Sequence, residues 1–352
     1  MMYRLLGASG LRVSEICLGT MGFGQEWTWG ASREESRKVF DAYAAAGGNF
    51  IDTANRYTDG TSERFVGEFV GSERERFVVA TKYTLSTRSD DPNAGGNHRK
   101  NLVQSLEASL RRLKMEYVDL LYLHAWDFLT PVEEVMRGLD DLVRQGKVLY
   151  AGISDTPAWV VSRANTIAEL RGWTRFVGLQ IEYSLLQRTV ERELLPMAAG
   201  LDLAVVAWAP LAGGALTGKY LDHGGGPRPG RLGPESIRLN ERNTRITREV
   251  VAVAREIGCS PSQVAIRWLM QQRQCVIPIV GATRETQIRD CLAAGSILLD
   301  DAHMKRLAEV SAVELGFPHD FLSSDPIRGI VFGGTRDRII SHRKHEIPGG
   351  RP

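Results

Sequence analysis

Short apolar runs alternate along this chain with longer stretches in which apolar residues return every three or four positions. Runs of the first kind suit strands buried on both faces, and stretches of the second kind suit helices with one apolar side. Ile16-Cys17-Leu18, Asn49 to Ile51, Arg76 to Lys82, Tyr117 to His124, Val148 to Ile153, Val177 to Ile181, Leu203 to Ala207 and Val276 to Ile279 read as eight strands. The helices between them begin with a capping box, Ser32-x-x-Glu35, that opens a segment running to Ala46. Others cover Ser62 to Val70, Arg99 to Leu113, Pro131 to Gln145, Pro157 to Leu170, Glu191 to Ala199, Thr247 to Gly258, Pro261 to Gln271 and Glu285 to Ala294. Eight strand–helix units predict an α/β chain closed into a (β/α)8 barrel. Gly7-Ala8-Ser9-Gly10 sits between two short mixed runs, which predicts an N-terminal hairpin that plugs the barrel floor. A last helix, Asp301 to Leu315, is expected outside the barrel. Residues 1–325 are expected to form a single domain with the hairpin in 1–14; 326–352 reads as a tail, with Arg343 to Pro352 disordered.

Composition narrows the function classes. The chain has 352 residues with 44 basic and 42 acidic side chains, so no global charge favours nucleic acid or an anionic membrane. Its four cysteines, Cys17, Cys259, Cys275 and Cys291, are scattered, which argues against a zinc site and for a reducing, cytoplasmic setting. No secretory leader pattern and no membrane-length apolar run is found, and neither a metal nor a membrane partner is expected.

Candidate chemistry lies at the carboxyl ends of three successive strands, which finish on Asp52, Lys82 and His124, with Tyr57 just beyond the first. Parallel strands place such ends side by side at one rim. A carbonyl that accepts hydride at carbon needs a proton at oxygen. Tyr57 can give it; Lys82 would favour the phenolate and lower the tyrosine pKa, Asp52 would hold Lys82, and His124 would position the carbonyl oxygen. A buried Lys–Asp pair beside a satisfied histidine is the blander alternative. Gly213-x4-Gly218-Lys219 matches a phosphate-binding loop except at Tyr220, where a metal-ligating hydroxyl is required, and it lies after the seventh strand, so nucleotide hydrolysis is rejected.

The Asp52, Tyr57, Lys82 and His124 set, with its spacing, resembles the catalytic tetrad of the aldo-keto reductase superfamily, and the resemblance runs from Leu5 to Leu315. His124-Ala125-Trp126-Asp127 is similar to the branch of aryl-alcohol-dehydrogenase-like and norsolorinic-acid-reductase-like proteins. The resemblance implies a nicotinamide dinucleotide, NADPH rather than NADH. It would be held by Gly19, Thr20 and Met21 of the first loop, by Asp52, by Ser154 and Asp155 after strand five, and by Gln180 at the end of strand six. Trp208 would stack on the nicotinamide, with Pro210, Leu211, Gly213 and Lys219 along the pyrophosphate. Gly281, Thr283, Arg284 and Gln287 would hold the adenosine 2′-phosphate and adenine, with Asp290 and Cys291 at the two adenine-side positions that the family fills with Glu and Asn. Asp155 likewise stands where the family has Asn. Arg284 offers a planar fork for a phosphate.

Trp27, Trp29, Tyr83 and Trp126 lie on loops at the same rim and are candidate walls of a pocket for an aromatic or hydrophobic carbonyl. The expected activity is NADPH-dependent reduction of an aldehyde or ketone to the alcohol, with a small-molecule carbonyl as partner and a homo-oligomer possible. The rival class is a nucleotide-sensing regulatory subunit resembling potassium-channel β subunits, which keep the tetrad; the short sequence before the hairpin counts against it. Oxidation of an alcohol at the same site stays open.

Overall fold

The computed structural model describes residues 1–27, 29–221, 231–233 and 235–340. Ten strands are present among the described residues: β1 (Tyr3–Leu5), β2 (Arg12–Ser14), β3 (Cys17–Gly19), β4 (Phe50–Asp52), β5 (Val78–Tyr83), β6 (Val118–Leu123), β7 (Val148–Ser154), β8 (Phe176–Glu182), β9 (Ala204–Trp208) and β10 (Val276–Gly281). β3 to β10 form a closed parallel barrel in chain order, with β10 pairing back onto β3. β1 and β2 form an antiparallel hairpin. Its turn tucks under the barrel: Ala8 N donates to Asp202 O, and a Cβ on Gly7 (φ +56) would lie 2.3 Å from Val177 O. Both contacts sit at the amino-terminal ends of β8 and β9, so the hairpin closes the floor as expected.

The helices are α1 (Arg33–Ala45), α2 (Thr61–Val70), α3 (Arg99–Leu113), α4 (Val132–Arg144), α5 (Ala158–Arg171), α6 (Leu194–Gly200), α7 (Glu241–Ile257), α8 (Pro261–Met270), α9 (Glu285–Leu292), α10 (Asp301–Val310), α11 (His319–Ser323) and α12 (Asp325–Phe332). Four of them depart most from the sequence pattern. α7 starts at Glu241 rather than Thr247 because Asn240 caps it, its side chain accepting from Asn243 N at 2.9 Å. α10 stops at Val310, where Arg188 and Arg242 take the carbonyls of Ala308 and Ser311. α11 and α12 were not foreseen; α12 begins at residue 325 and buries none of its side chains. The stretch 343–352, expected to be disordered, lies outside the described residues, as do 222–230 of the glycine-rich loop. No described helix is long and apolar enough to cross a membrane.

Strand alternation sorts the core into two layers. Odd neighbours such as Ile51, Val79, Leu121, Ile153 and Val205 pack outward under the helices. Cys17, Phe50, Val78, Ala80, Leu120, Tyr122, Ala204, Val206, Ile277 and Ile279 fill the barrel interior with Leu6 and Val13 of the hairpin. Tyr122 is fully buried in this interior, and Gly152 makes room for it: a Cβ there would stand 2.4 Å from the Tyr122 ring. Following the same alternation upward, Gly19, Asp52, Lys82, Ser154, Gln180, Trp208 and Gly281 share the interior-facing side at the strands' carboxyl ends. Register pairs join several of them directly: Gly281 with Gly19, Gly19 with Asp52, and Ser154 with Gln180.

Candidate active site

Lys82 is fully buried, and its ammonium donates three hydrogen bonds: to Asp52 Oδ2 at 2.6 Å, to Thr53 O at 2.9 Å and to Tyr57 Oη at 3.0 Å. Tyr57 is half-buried, and His124 stands edge-on to its ring, the centroids 5.9 Å apart. The four residues expected from the strand ends are thus one contiguous group. Burial alone would lower the Lys82 pKa, but Asp52 and Tyr57 outweigh it and hold the ammonium charged. Burial pushes the Tyr57 phenol up, and Lys82 only partly offsets this, so the net direction is opposite to the lowering expected from sequence. The phenol is therefore protonated at neutral pH. Burial, with Lys82 nearby, pushes His124 down to about 3, which makes it a neutral imidazole. This is a neutral acid and a neutral hydrogen-bond donor beside a fixed cation.

Further hydrogen bonds fix these groups. Gln180 Nε2 donates to Asp52 Oδ1 at 2.8 Å, so both carboxylate oxygens of Asp52 are engaged. Under the first two loops Ser62 Oγ lies 2.7 Å from Thr20 Oγ1 and 2.8 Å from Thr53 Oγ1, and it also donates to Thr20 O. Thr53, in turn, offers its carbonyl to Lys82. Neither Ser62 nor Thr53 was singled out from sequence; a serine in the first turn of α2 carries no signal of its own until the loops are folded.

Around the mouth stand the residues expected to hold a dinucleotide. Thr20 is buried and bonded to Asp52 O through both its N and Oγ1, and Met21 is half-buried beside it. Ser154 Oγ is buried and has no partner among the described residues, an orphaned hydroxyl at the inner rim. Gln180 has given its amide N–H to Asp52, which leaves its Oε1 to accept from a ligand. Trp208 Nε1 donates to Asp155 Oδ1 at 3.0 Å. After β9, Pro210 is buried, Leu211 half-buried, and Ala212–Thr217 form a 3₁₀ turn with Gly213 and Gly214 in left-handed conformations (φ 69 and 94). Lys219 is exposed and reaches back over its neighbour Tyr220, 5.0 Å from the ring centroid. Past Gly281, Gln287 Oε1 accepts from Thr283 N and Oγ1, and exposed Arg284 occupies the N-cap of α9. Neither Lys219 nor Arg284 forms an ion pair among the described residues. An orphaned hydroxyl, a glycine turn and two unpaired cations fit a phosphorylated dinucleotide laid across the mouth.

Two of the expected residues are not brought to this set. Asp290 has both oxygens taken, by Ser260 Oγ at 2.9 Å and Gln263 Nε2 at 2.7 Å. Cys291 is buried in the outer core. On the substrate side, Tyr83 is a correction: it is buried in the helix-facing layer, its hydroxyl on Asn97 O at 3.3 Å, because the neighbour of an inward Lys82 must point outward. Trp27 and Trp29 do meet, 5.6 Å between centroids, and Trp126 sits half-buried on a loop tied down by reciprocal bonds between Asn97 and Asp127. Arg231 was missed. Its guanidinium lies 4.1 Å from the Trp29 ring centroid, and Tyr57 acts on it electrostatically. Only its place in a glycine-rich loop marked it, and such a loop has no period to read.

A barrel with polar strand tips around a buried Asp–Lys–Tyr group defines a class of protein, and sequence comparison specifies it. The chain belongs to the aldo/keto reductase family, whose profile matches residues 15–312. It is 38% identical over 328 residues to norsolorinic acid reductase stcV of Emericella nidulans, covering 90% of this chain and 83% of that protein. It is also 38% identical over 360 residues to an aryl-alcohol dehydrogenase [NADP(+)] of Phanerodontia chrysosporium, covering 97% and 91%. A putative aryl-alcohol dehydrogenase, AAD14, of Saccharomyces cerevisiae is 35% identical over 335 residues, covering 90% and 88%. The protein is an oxidoreductase dependent on a nicotinamide nucleotide.

Proposed function

We propose that this protein reduces an aromatic or hydrophobic aldehyde or ketone to the alcohol with NADPH. The observation that carries the reading is the Lys82 ammonium held between Asp52 and Tyr57 at 2.6 and 3.0 Å. NADPH supplies a hydride to the carbonyl carbon when bound. Tyr57 passes its proton to the carbonyl oxygen as charge builds there, and Lys82, already within hydrogen-bonding distance, stabilises the phenolate left behind. Asp52 keeps Lys82 in place and charged. Neutral His124 donates a hydrogen bond that orients the carbonyl. Trp27, Trp29 and Trp126 supply flat apolar walls, which suits an aromatic substrate, and the names of the relatives point the same way. Arg284 and Lys219 take the phosphates, Arg284 the 2′-phosphate that separates NADPH from NADH.

The test is NADPH consumption with a panel of aromatic aldehydes, diketones and keto sugars, run beside Tyr57→Phe. Turnover that vanishes in the variant supports the reading, and unchanged turnover removes Tyr57 as the proton donor. NADPH that binds without reducing any member of the panel would favour a nucleotide-sensing role.

A further inference from the structure

Asp155 is a charged group the reaction above does not use. It follows Ser154 at the end of β7, with a left-handed backbone (φ 39). One oxygen accepts the Trp208 indole N–H at 3.0 Å. Among the described residues no cation forms an ion pair with it; the nearby Lys82 ammonium is committed to Asp52, Thr53 and Tyr57. Partial burial raises the Asp155 pKa from its ordinary value, while the Trp208 hydrogen bond and the Lys82 charge pull it back, and the residue keeps access to solvent; its charge in turn acts on Tyr57, so it faces the reacting groups.

We propose that the Asp155 carboxylate makes the site discriminate between the two redox forms of its cofactor, binding oxidised NADP⁺ more tightly relative to NADPH than a neutral side chain would. The inference rests on the nucleotide reading of the mouth. The two forms carry the same phosphates and differ by the charge of one ring: the oxidised nicotinamide is a pyridinium cation and the reduced ring is neutral. A carboxylate beside that ring therefore separates them, whereas Arg284 and Lys219 do not. The hydrogen bond to Trp208 adds to the effect. An indole that donates to an anion has a more electron-rich face, and a cation over that face is held more firmly. The consequence is kinetic as well. Hydride departure from the reduced ring builds positive charge on it, so the same carboxylate favours donation of hydride to a carbonyl and slows release of the oxidised cofactor.

The test is the pair of dissociation constants for NADP⁺ and NADPH, read from quenching of protein fluorescence, in wild type, Asp155→Asn and Trp208→Phe. Asparagine keeps the shape and an acceptor for the indole, and tolerates the left-handed backbone. Its loss of charge should weaken NADP⁺ about tenfold relative to NADPH, the scale of one charge acting over several ångströms in a partly wet site. NADPH itself should stay within about threefold. Trp208→Phe keeps the carboxylate and should move the ratio by less than about threefold, the scale of one aromatic contact. An unchanged ratio in Asp155→Asn overturns the proposal, as does a shift just as large in Trp208→Phe, which would assign discrimination to ring orientation. If wild type binds neither nucleotide, the cofactor reading fails first, and that outcome is distinct from both.

Discussion

The two ends of the barrel mouth are built differently. At the end proposed to handle the proton, the side-chain polar groups of Asp52 and Lys82 are all bonded within the protein, and Lys82 is 0% and Asp52 2% exposed. At the end proposed to take the phosphates, Lys219 and Arg284 are exposed and unpaired among the described residues, standing on a glycine turn and a helix N-cap. The first end is preorganised, its geometry set by strand register. The second is open to solvent. Preorganised groups act on a transition state, where reorganisation is costly, and exposed cations contribute ground-state affinity. Variants at the two ends should therefore fail in different ways.

Lys82→Met should show the largest effect. It leaves Asp52 buried with only Gln180 for company, and breaking such a pair costs about 3–5 kcal/mol. Urea unfolding should show that loss, and turnover should fall by about a thousandfold or more; near-normal stability would mean the pair is not held as described. Arg284→Ala should leave folding and turnover at saturating cofactor intact, but weaken NADPH by about ten- to a hundredfold, the scale of one charge-assisted contact, with NADH within about threefold. An equal loss for both nucleotides would remove Arg284 from the 2′-phosphate.

A pH effect separates the ends further. Folded His124 titrates at about 3 against an ordinary 6.5, so the unfolded chain takes up its proton first as acid is added. Protonation then favours unfolding, and stability should decline as pH falls from about 6.5. His124→Gln should flatten that decline in denaturation measured across the range; an unaltered slope would show that His124 is not held neutral by its surroundings. The smallest effect is expected from Tyr83→Phe. It loses one buried hydrogen bond, about 0.5–1.5 kcal/mol, and should change kcat/KM by less than about twofold. A larger kinetic effect would return Tyr83 to the substrate pocket.

Much of this arrangement was legible in the sequence, for a definite reason. A parallel barrel repeats one simple pattern, apolar run then amphipathic helix, and its chemistry sits at the run ends, so Asp52, Lys82 and His124 could be placed together without coordinates. The misreadings have physical causes as well. Tyr83 was placed at the rim by its position after Lys82, although the two-residue period of a strand sends neighbours to opposite faces. Asp290 and Cys291 were placed by a family pattern, whereas here Ser260 and Gln263 occupy Asp290, and Cys291 packs inward. The start of α7 at Glu241 follows from the Asn240 cap, which a reading weighted toward apolar periodicity passed over. The resemblance assigns Gln180 to a ligand's carboxamide; its bond to Asp52 spans 128 residues of chain, a contact that no local pattern encodes.

Carbonyl reduction is proposed to take its proton from Tyr57, poised by Lys82. The most direct measurement is the single-turnover rate of NADPH oxidation after rapid mixing of the NADPH-loaded protein with an aromatic aldehyde, for wild type and Tyr57→Phe, with NADPH affinity measured on both. A fast decay is expected in wild type, and Tyr57→Phe should slow it by about a hundredfold to ten-thousandfold with NADPH affinity nearly unchanged. Equal decay rates in the two proteins would contradict it.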